Sequence, residues 1–236
     1  MRKTLLLVLL APLALATPAH AQATAAATPN VAGKASHIKF TVDGTEAPIG
    51  SRIPSALSMT VPAGFTFNRA AAPKRCNRTA AALDECPAAS QIGTGSLVIT
   101  VTYKGQARDV TFNLRMYLQS ANSLLGVTFL AGTRVVPGRL ATNSGVSVIF
   151  NPLPAPPVFA QVSYALRRIT LNLGASRRVQ VKVKNGKHGH RTRTTVVNLI
   201  QNPRACTAGS WPAAVSLSFP DHTAAMLETP IACRRR

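Results

Sequence analysis

Residues 110–118 read Val110-Thr111-Phe112-Asn113-Leu114-Arg115-Met116-Tyr117-Leu118, with large apolar side chains at every even position. Successive side chains of a strand point to opposite faces, so this run predicts a strand with one buried and one wet face. The same period recurs on either side of it. Ile38, Phe40 and Val42 alternate with Lys39 and Thr41, and Leu57, Met59 and Val61 with Ser58 and Thr60. Leu97-Ile99-Val101, Ile169-Leu171-Leu173 and Val215-Leu217-Phe219 repeat the pattern. Turn residues punctuate the runs: Asp43-Gly44, Pro62-Ala63-Gly64, Lys104-Gly105, Pro137-Gly138, Asn185-Gly186 and Pro220-Asp221. Asn-Gly and Asp-Gly suit the positive-φ positions of tight hairpins. Helical periodicity is confined to Thr79–Leu83, one or two turns. Pro152, Pro154, Pro156 and Pro157 make residues 151–158 an extended connector suited to a crossover between sheets. The expected fold is all-β: an antiparallel β-sandwich, jelly-roll or immunoglobulin-like, with little helix.

Composition agrees. The 236 residues are 46% hydrophobic, enough for a core, and only 14% are charged and 5% aromatic. Global disorder, a coiled coil and an aromatic platform for single-stranded nucleic acid are all disfavoured.

At the N-terminus, Met1-Arg2-Lys3 precedes an apolar stretch from Leu5 to Leu15, and Ala19-His20-Ala21 offers small residues where a signal peptidase reads. The expectation is a signal peptide over residues 1–21 with cleavage before Gln22, Ala21-Gln22-Ala23 being a second possible site. No later stretch is long enough in apolar residues for a membrane-spanning helix. No lipobox cysteine, twin-arginine motif or sorting signal accompanies the leader. The reading is an exported protein, extracellular or associated with the cell envelope. Residues 22–35 are small and rich in Ala and Thr, and are expected to form a flexible leader before a single domain spanning 36–233 and a basic tail, 234–236.

Export makes Cys76, Cys86, Cys206 and Cys233 a disulfide framework. Three pairings are formally open. The shorter closures, Cys76–Cys86 and Cys206–Cys233, are entropically cheaper to form during folding, each worth about 2–4 kcal/mol. Zinc is disfavoured because no C-x2-C spacing occurs.

The charge is lopsided. Lys and Arg total 27 against 7 Asp and Glu, a net charge of +20, and no acidic residue occurs between Asp109 and Asp221. The basic density peaks at Arg167, Arg168, Arg177, Arg178, Lys182, Lys184, Lys187, Arg191 and Arg193, with His188 and His190 interleaved. In residues 178–184 the valines share one face while Arg178, Gln180, Lys182 and Lys184 share the other. Joined through Asn185-Gly186 to a second basic strand, this pattern predicts a ribbon of cations on one side of a hairpin. Two readings compete. The ribbon binds polyanions, such as envelope polymers or acidic polysaccharide, with Arg gripping phosphate or carboxylate bidentately. Alternatively it is a solvated surface that discourages edge-to-edge pairing. Nucleic acid is disfavoured as the evolved target, since no helix-turn-helix or zinc finger occurs.

Catalytic motifs are missing: no Gly-x-Ser-x-Gly, His-Glu-x-x-His, P-loop or dinucleotide fingerprint is found. A glycan hydrolase needs two flanking carboxylates, and Asp43, Glu46, Asp84, Glu85, Asp109 and Asp221 read mainly as turn or strand-end residues. His188-Gly189-His190 lacks a third metal ligand. Trp211, the single tryptophan, reads as a core anchor before a sugar platform. A non-enzymatic binding or structural module without cofactor or metal is expected, with a secreted hydrolase of envelope or environmental glycans as the alternative.

Two motifs carry a resemblance. The first is Pro62-Ala63-Gly64-Phe65, Cys76, then Glu85-Cys86-Pro87-Ala88-Ala89-Ser90-Gln91-Ile92-Gly93-Thr94-Gly95-Ser96. The second is Asn202-Pro203-Arg204-Ala205-Cys206-Thr207-Ala208-Gly209-Ser210-Trp211-Pro212, with Asp221-His222-Thr223 and Cys233 following. The pattern resembles a group of uncharacterised exported, disulfide-containing β-sandwich proteins of high-GC actinobacteria. The resemblance implies pairing of each cysteine with its near neighbour. It implies no ligand or activity, and the basic stretch 177–193 lies outside it.

Overall fold

The computed structural model of the chain describes residues 23–129, 133–185 and 189–235. In chain order the strands are β1 (Ala23–Thr28), β2 (Ala35–Asp43), β3 (Ala56–Val61), β4 (Thr66–Phe67), β5 (Gln91–Tyr103) and β6 (Gln106–Leu118). There follow β7 (Ser123–Phe129), β8 (Thr133–Ala141), β9 (Val146–Phe150), β10 (Val162–Leu173), β11 (Ser176–Asn185) and β12 (Gly189–Asn198). The last are β13 (Ile200–Gln201), β14 (Ser210–Trp211), β15 (Ala214–Ser218), β16 (Ala224–Glu228) and β17 (Ile231–Ala232). A single α-helix among the described residues, α1 (Arg78–Ala82), is capped by the Asn77 side chain, which accepts from the Ala80 amide at 2.7 Å.

The fold is an all-β, disulfide-stabilised antiparallel sandwich. Its hydrogen bonding runs through one large sheet in the order β16-β15-β3-β9-β8-β7-β6-β5-β10-β2-β13-β4, with β1 on the other side of β2. The alternation read from the sequence is what fills the core. Ile38, Phe40 and Val42 of β2, Leu57, Met59 and Val61 of β3, and Val215 and Leu217 of β15 are all buried in one cluster. Each such side chain contributes roughly 1.5–3 kcal/mol by leaving water. Phe65 and Trp211 close one end of that cluster in an edge-to-face contact, ring centroids 5.3 Å apart.

On β6 the period holds and acquires a second use. Met116 and Leu118 face the main core, while Tyr117 is buried on the opposite face with Leu125 and Val127 of β7. Cys76 and Ala81 cover that face. The loop closed by the Cys76–Cys86 disulfide, Cα atoms 5.1 Å apart, therefore roofs the sheet where two apolar faces need cover. The second disulfide, Cys206–Cys233, has a Cα separation of 5.9 Å and ties the C-terminal strand β17 into the main core. Both pairings are those the short closures favoured.

The glycines of Ile92-Gly93-Thr94-Gly95 answer to close approach. A Cβ on Gly95 would meet the Leu171 side chain and the Thr170 carbonyl oxygen, both at 2.6 Å. One on Gly93 would collide with the Asn172 carbonyl and lie 2.6 Å from the Met116 methyl. Two large core side chains occupy the space that β5 leaves empty.

The expected flexible leader is corrected here. Ala23–Thr28 is a strand, paired with β2 from Ala23↔Val42 to Thr28↔His37, and Ala23 and Ala27 are buried. Alanine brings little apolar area, so composition suggested nothing to bury; the backbone ladder and close packing against β17 hold the strand instead. The sheet thus starts at Ala23, not at 36. The tail is likewise engaged: the Arg234 amide donates to the Asn30 carbonyl at 2.8 Å, and its carbonyl accepts from Ala32 at 3.0 Å. The proposed signal peptide, residues 1–21, and Arg236 lie outside the described residues. Among the described residues, no helix is long and apolar enough to cross a membrane.

Candidate functional site

The basic stretch becomes a finger. β10 ends with Leu173 opposite Ile38, and β13 resumes two rungs along the same strand with Ile200 opposite Ser36. Between them the chain leaves the main sheet as the β11–β12 hairpin, a separate two-stranded sheet paired from Ser176↔Asn198 to Asn185↔Gly189. Its base is closed by the Leu199 amide donating to the Ala175 carbonyl at 2.8 Å, and Leu199 is fully buried. Beyond that base the described side chains of Arg177, Arg178, Gln180, Thr192, Arg193, Thr194, Thr195 and Val196 are exposed. Of the described side chains at 177–180 and 192–196, only Val179 is half-buried.

The one-sided ribbon expected from the sequence is corrected by the register. A two-residue turn at Asn185-Gly186 puts Arg178 opposite Arg193. The observed pairing sets Arg178 opposite Val196 and Gln180 opposite Thr194. Arg193 is opposite Val181 and therefore shares a face with Val179 and Arg177. Because strand faces alternate, an odd shift of register moves a whole strand's side chains to the other side. The finger is cationic on both faces. Lys187 lies outside the described residues, as do the side chains of Lys182, Lys184 and Arg191.

Arg167 and Arg168 do not join the finger. Arg168 is opposite Asp43, five residues back along β10 from Leu173, or about 17 Å at the usual rise of a strand. There they face a carboxylate. Asp43 accepts from the Thr45 amide at 3.0 Å and the Thr45 hydroxyl at 2.7 Å. Those two bonds hold its pKa below the ordinary value of 3.8, with Arg168 and Arg167 adding to the effect. By contrast, the ion pairs found among the described residues, Arg52–Asp221 at 3.0 Å and Arg115–Asp84 at 3.2 Å, are both on the body. Arg177, Arg178 and Arg193 face no acidic side chain in either.

The remaining candidates occupy ordinary structural places. Trp211 is buried and its indole N–H donates to the Ala205 carbonyl at 2.8 Å, the core anchor rather than the sugar platform. Asp84 pairs with Arg115, Asp109 accepts from the Thr100 hydroxyl at 2.5 Å, and Asp221 from Thr223 and Arg52. Each of these aspartates is engaged by its own neighbour. Asp221 turns to Thr223, not to His222, so the acid–histidine pair is not formed through that contact. Among the described residues no group of three or more His, Cys, Asp or Glu is placed to hold a metal ion.

Sequence reasoning missed Arg52. Its Nε donates to the Ile49 carbonyl at 3.0 Å, and Nη2 to the Pro48 carbonyl at 2.6 Å. Nη1 donates to Asp221 at 3.0 Å and Thr223 at 2.7 Å, while the guanidinium lies 3.9 Å above the Phe219 ring. It borders an open cleft of about 390 Å³ walled by Ile53, Pro54, Leu153, Pro156 and Phe219. The two charged groups of that cleft neutralise each other, so Arg52 acts as a clamp between the 46–53 loop and the β15–β16 turn. A lone arginine in a loop carries no sequence signal of such a role.

The chain matches no protein-family model, no curated protein and no solved structure.

Proposed function

We propose that this is an exported, non-enzymatic module that binds anionic polymers, envelope polymers or acidic polysaccharide, through the β11–β12 finger. One observation carries the reading: the finger stands outside the main sheet with Arg177, Arg178 and Arg193 exposed on both faces and no described carboxylate paired to them. A two-stranded ribbon is at best marginally stable in water by itself, and like charges along it add repulsion. An extended polyanion relieves both, bringing charge to each face. Export is supported by the leader pattern, the two closed disulfides and the resemblance to exported actinobacterial proteins. The alternative, a glycan hydrolase, has less behind it, because Asp43, Asp84, Asp109 and Asp221 are each tied to separate local partners.

The test is retention on a heparin or polyphosphate matrix across a salt gradient. Neutralising Arg177, Arg178, Lys182 and Lys184 to Gln is expected to move elution to markedly lower salt. It is also expected to flatten the dependence of log K on log salt by roughly one unit for each anionic group no longer neutralised. Elution of the quadruple variant with the parent would reduce the finger to mere surface.

A further inference from the structure

The end of β10 remote from the finger has the opposite character. There β10, β5 and β6 run as a three-stranded arm, with Val162 opposite Tyr103 and Tyr103 opposite Gln106 across the tight turn Lys104-Gly105. The connector enters the arm at the same place, the Val162 amide donating to the Phe159 carbonyl at 3.2 Å. Three large apolar side chains converge on this tip without cover: Val158 is 98% exposed, Phe159 59% and Tyr103 49%. Lys104 stands beside them, its ammonium 5.3 Å from the Tyr103 ring, and Arg108 is exposed on β6 a few residues away. The nearest acid in sequence, Asp109, is engaged by Thr100.

We propose that this tip is a membrane-interface anchor, and that Tyr103, Val158 and Phe159 insert at the headgroup level of an anionic lipid bilayer. Aromatic and aliphatic side chains flanked by cations are what the interface accepts. The rings and the valine leave water, while Lys104 and Arg108 stay among the headgroups. Charge selects the occupant. A chain of net charge +20 is drawn to an anionic surface and repels a second copy of itself. From Val162 to Leu173 the strand spans about 36 Å at the usual rise, so a tip seated on a membrane leaves the finger well clear of it. The proposal stands on the tip alone and does not need the finger to bind anything.

The native protein has a single tryptophan, Trp211, which is buried. Phe159→Trp therefore adds a second indole, at the tip, over a constant background. With vesicles of phosphatidylcholine and phosphatidylglycerol, the emission of the introduced indole is expected to shift to the blue and to be quenched by brominated lipid; phosphatidylcholine alone leaves it unchanged. Replacing Tyr103, Val158 and Phe159 together by Ser, all on the surface, is expected to weaken co-sedimentation with the anionic vesicles at least about tenfold. Near-UV circular dichroism of the variant, expected to match the parent, checks that it is folded. Co-sedimentation of the Phe159→Trp variant without a blue shift means that another cationic face holds the lipid, and overturns the proposal. So does a triple variant that sediments like the parent, a parent that ignores anionic vesicles, or a lipid-free dimer that the triple variant abolishes.

Discussion

The β5–β6 and β11–β12 hairpins are both long antiparallel pairs of alternating side chains, 13 residues per strand in one and 10 in the other. They differ in what lies alongside. β10 pairs with β5 from Gly93 to Tyr103, and β7 takes the inner part of β6, so Ile99, Leu166 and Met116 are buried there. β11 and β12 pair only with each other among the described residues, and Val196 stays 55% exposed. The same local pattern therefore gives a structural wall in one place and an appendage in the other. What decides is whether a third strand and a facing layer are within reach, since an isolated pair buries too little to be stable by itself. The energetic weight of a valine or leucine is set by its neighbours and not by its place in the alternation.

Paired substitutions break that comparison most sharply. Leu171→Ala, in β10 against the Gly95 gap, removes a buried side chain and is expected to lower unfolding free energy by about 2–5 kcal/mol. Val196→Ala on the finger is expected to change it by less than about 0.5 kcal/mol. Urea denaturation of both variants measures the contrast, and a comparable loss at Val196 would mean that the finger is packed on something. Next in size is removal of the finger itself. Replacing residues 178–196 by Asn-Gly closes a two-residue turn on the Arg177↔Val197 pair. Leu199 and the rungs Leu173↔Ile38 and Ile200↔Ser36 are untouched. Stability is expected to stay within about 1 kcal/mol of the parent, while retention on an anionic matrix drops. Collapse of the truncated protein would make the finger part of the fold.

Much of the wall was legible and the appendage only half so, for reasons that particular residues make plain. In β2, β3 and β15 the large side chains alternate strictly and burial follows the period, and β6 keeps to it until Tyr117, which is buried on the other face between Met116 and Leu118. β1 escaped because Ala23, Ala25 and Ala27 alternate without size, and the hydrogen bonds that hold them come from β2, far along the chain. The finger's strands were readable from Val179-Val181-Val183 against Arg178-Lys182-Lys184. The facing of its second strand was not. That depends on register, which the Asn185-Gly186 signal suggested and the Asn185↔Gly189 pair contradicts. The polar clamp of Arg52 joins residues 169 apart in sequence, and only the closed fold brings them together. Local pattern fixes which face a residue takes within its own strand; relations between distant strands are set by the whole fold.

The smallest effect separates the two regions by their charges. Described carboxylates with lowered pKa sit on the body: Asp221, held down by the Thr223 hydroxyl and amide and then by Arg52, and Asp43, held down by Thr45 and then by Arg168 and Arg167. A carboxylate whose folded pKa lies below its unfolded value lends stability at pH above the unfolded value. That stability is lost as the pH falls through the folded one. The window therefore opens below the ordinary value of 3.8, and nothing is expected to change between pH 5 and about 8 from these groups. Asp43→Asn with Asp221→Asn is expected to lower the melting temperature by a constant small amount across that range. The gap to the parent then narrows as the pH drops below about 4. Thermal scans from about pH 2.5 to 8 check it. A gap that widens in acid would place the sensitive groups elsewhere. The finger has no acidic residue anywhere in its sequence, so its truncated form is expected to show the same acid limb as the parent.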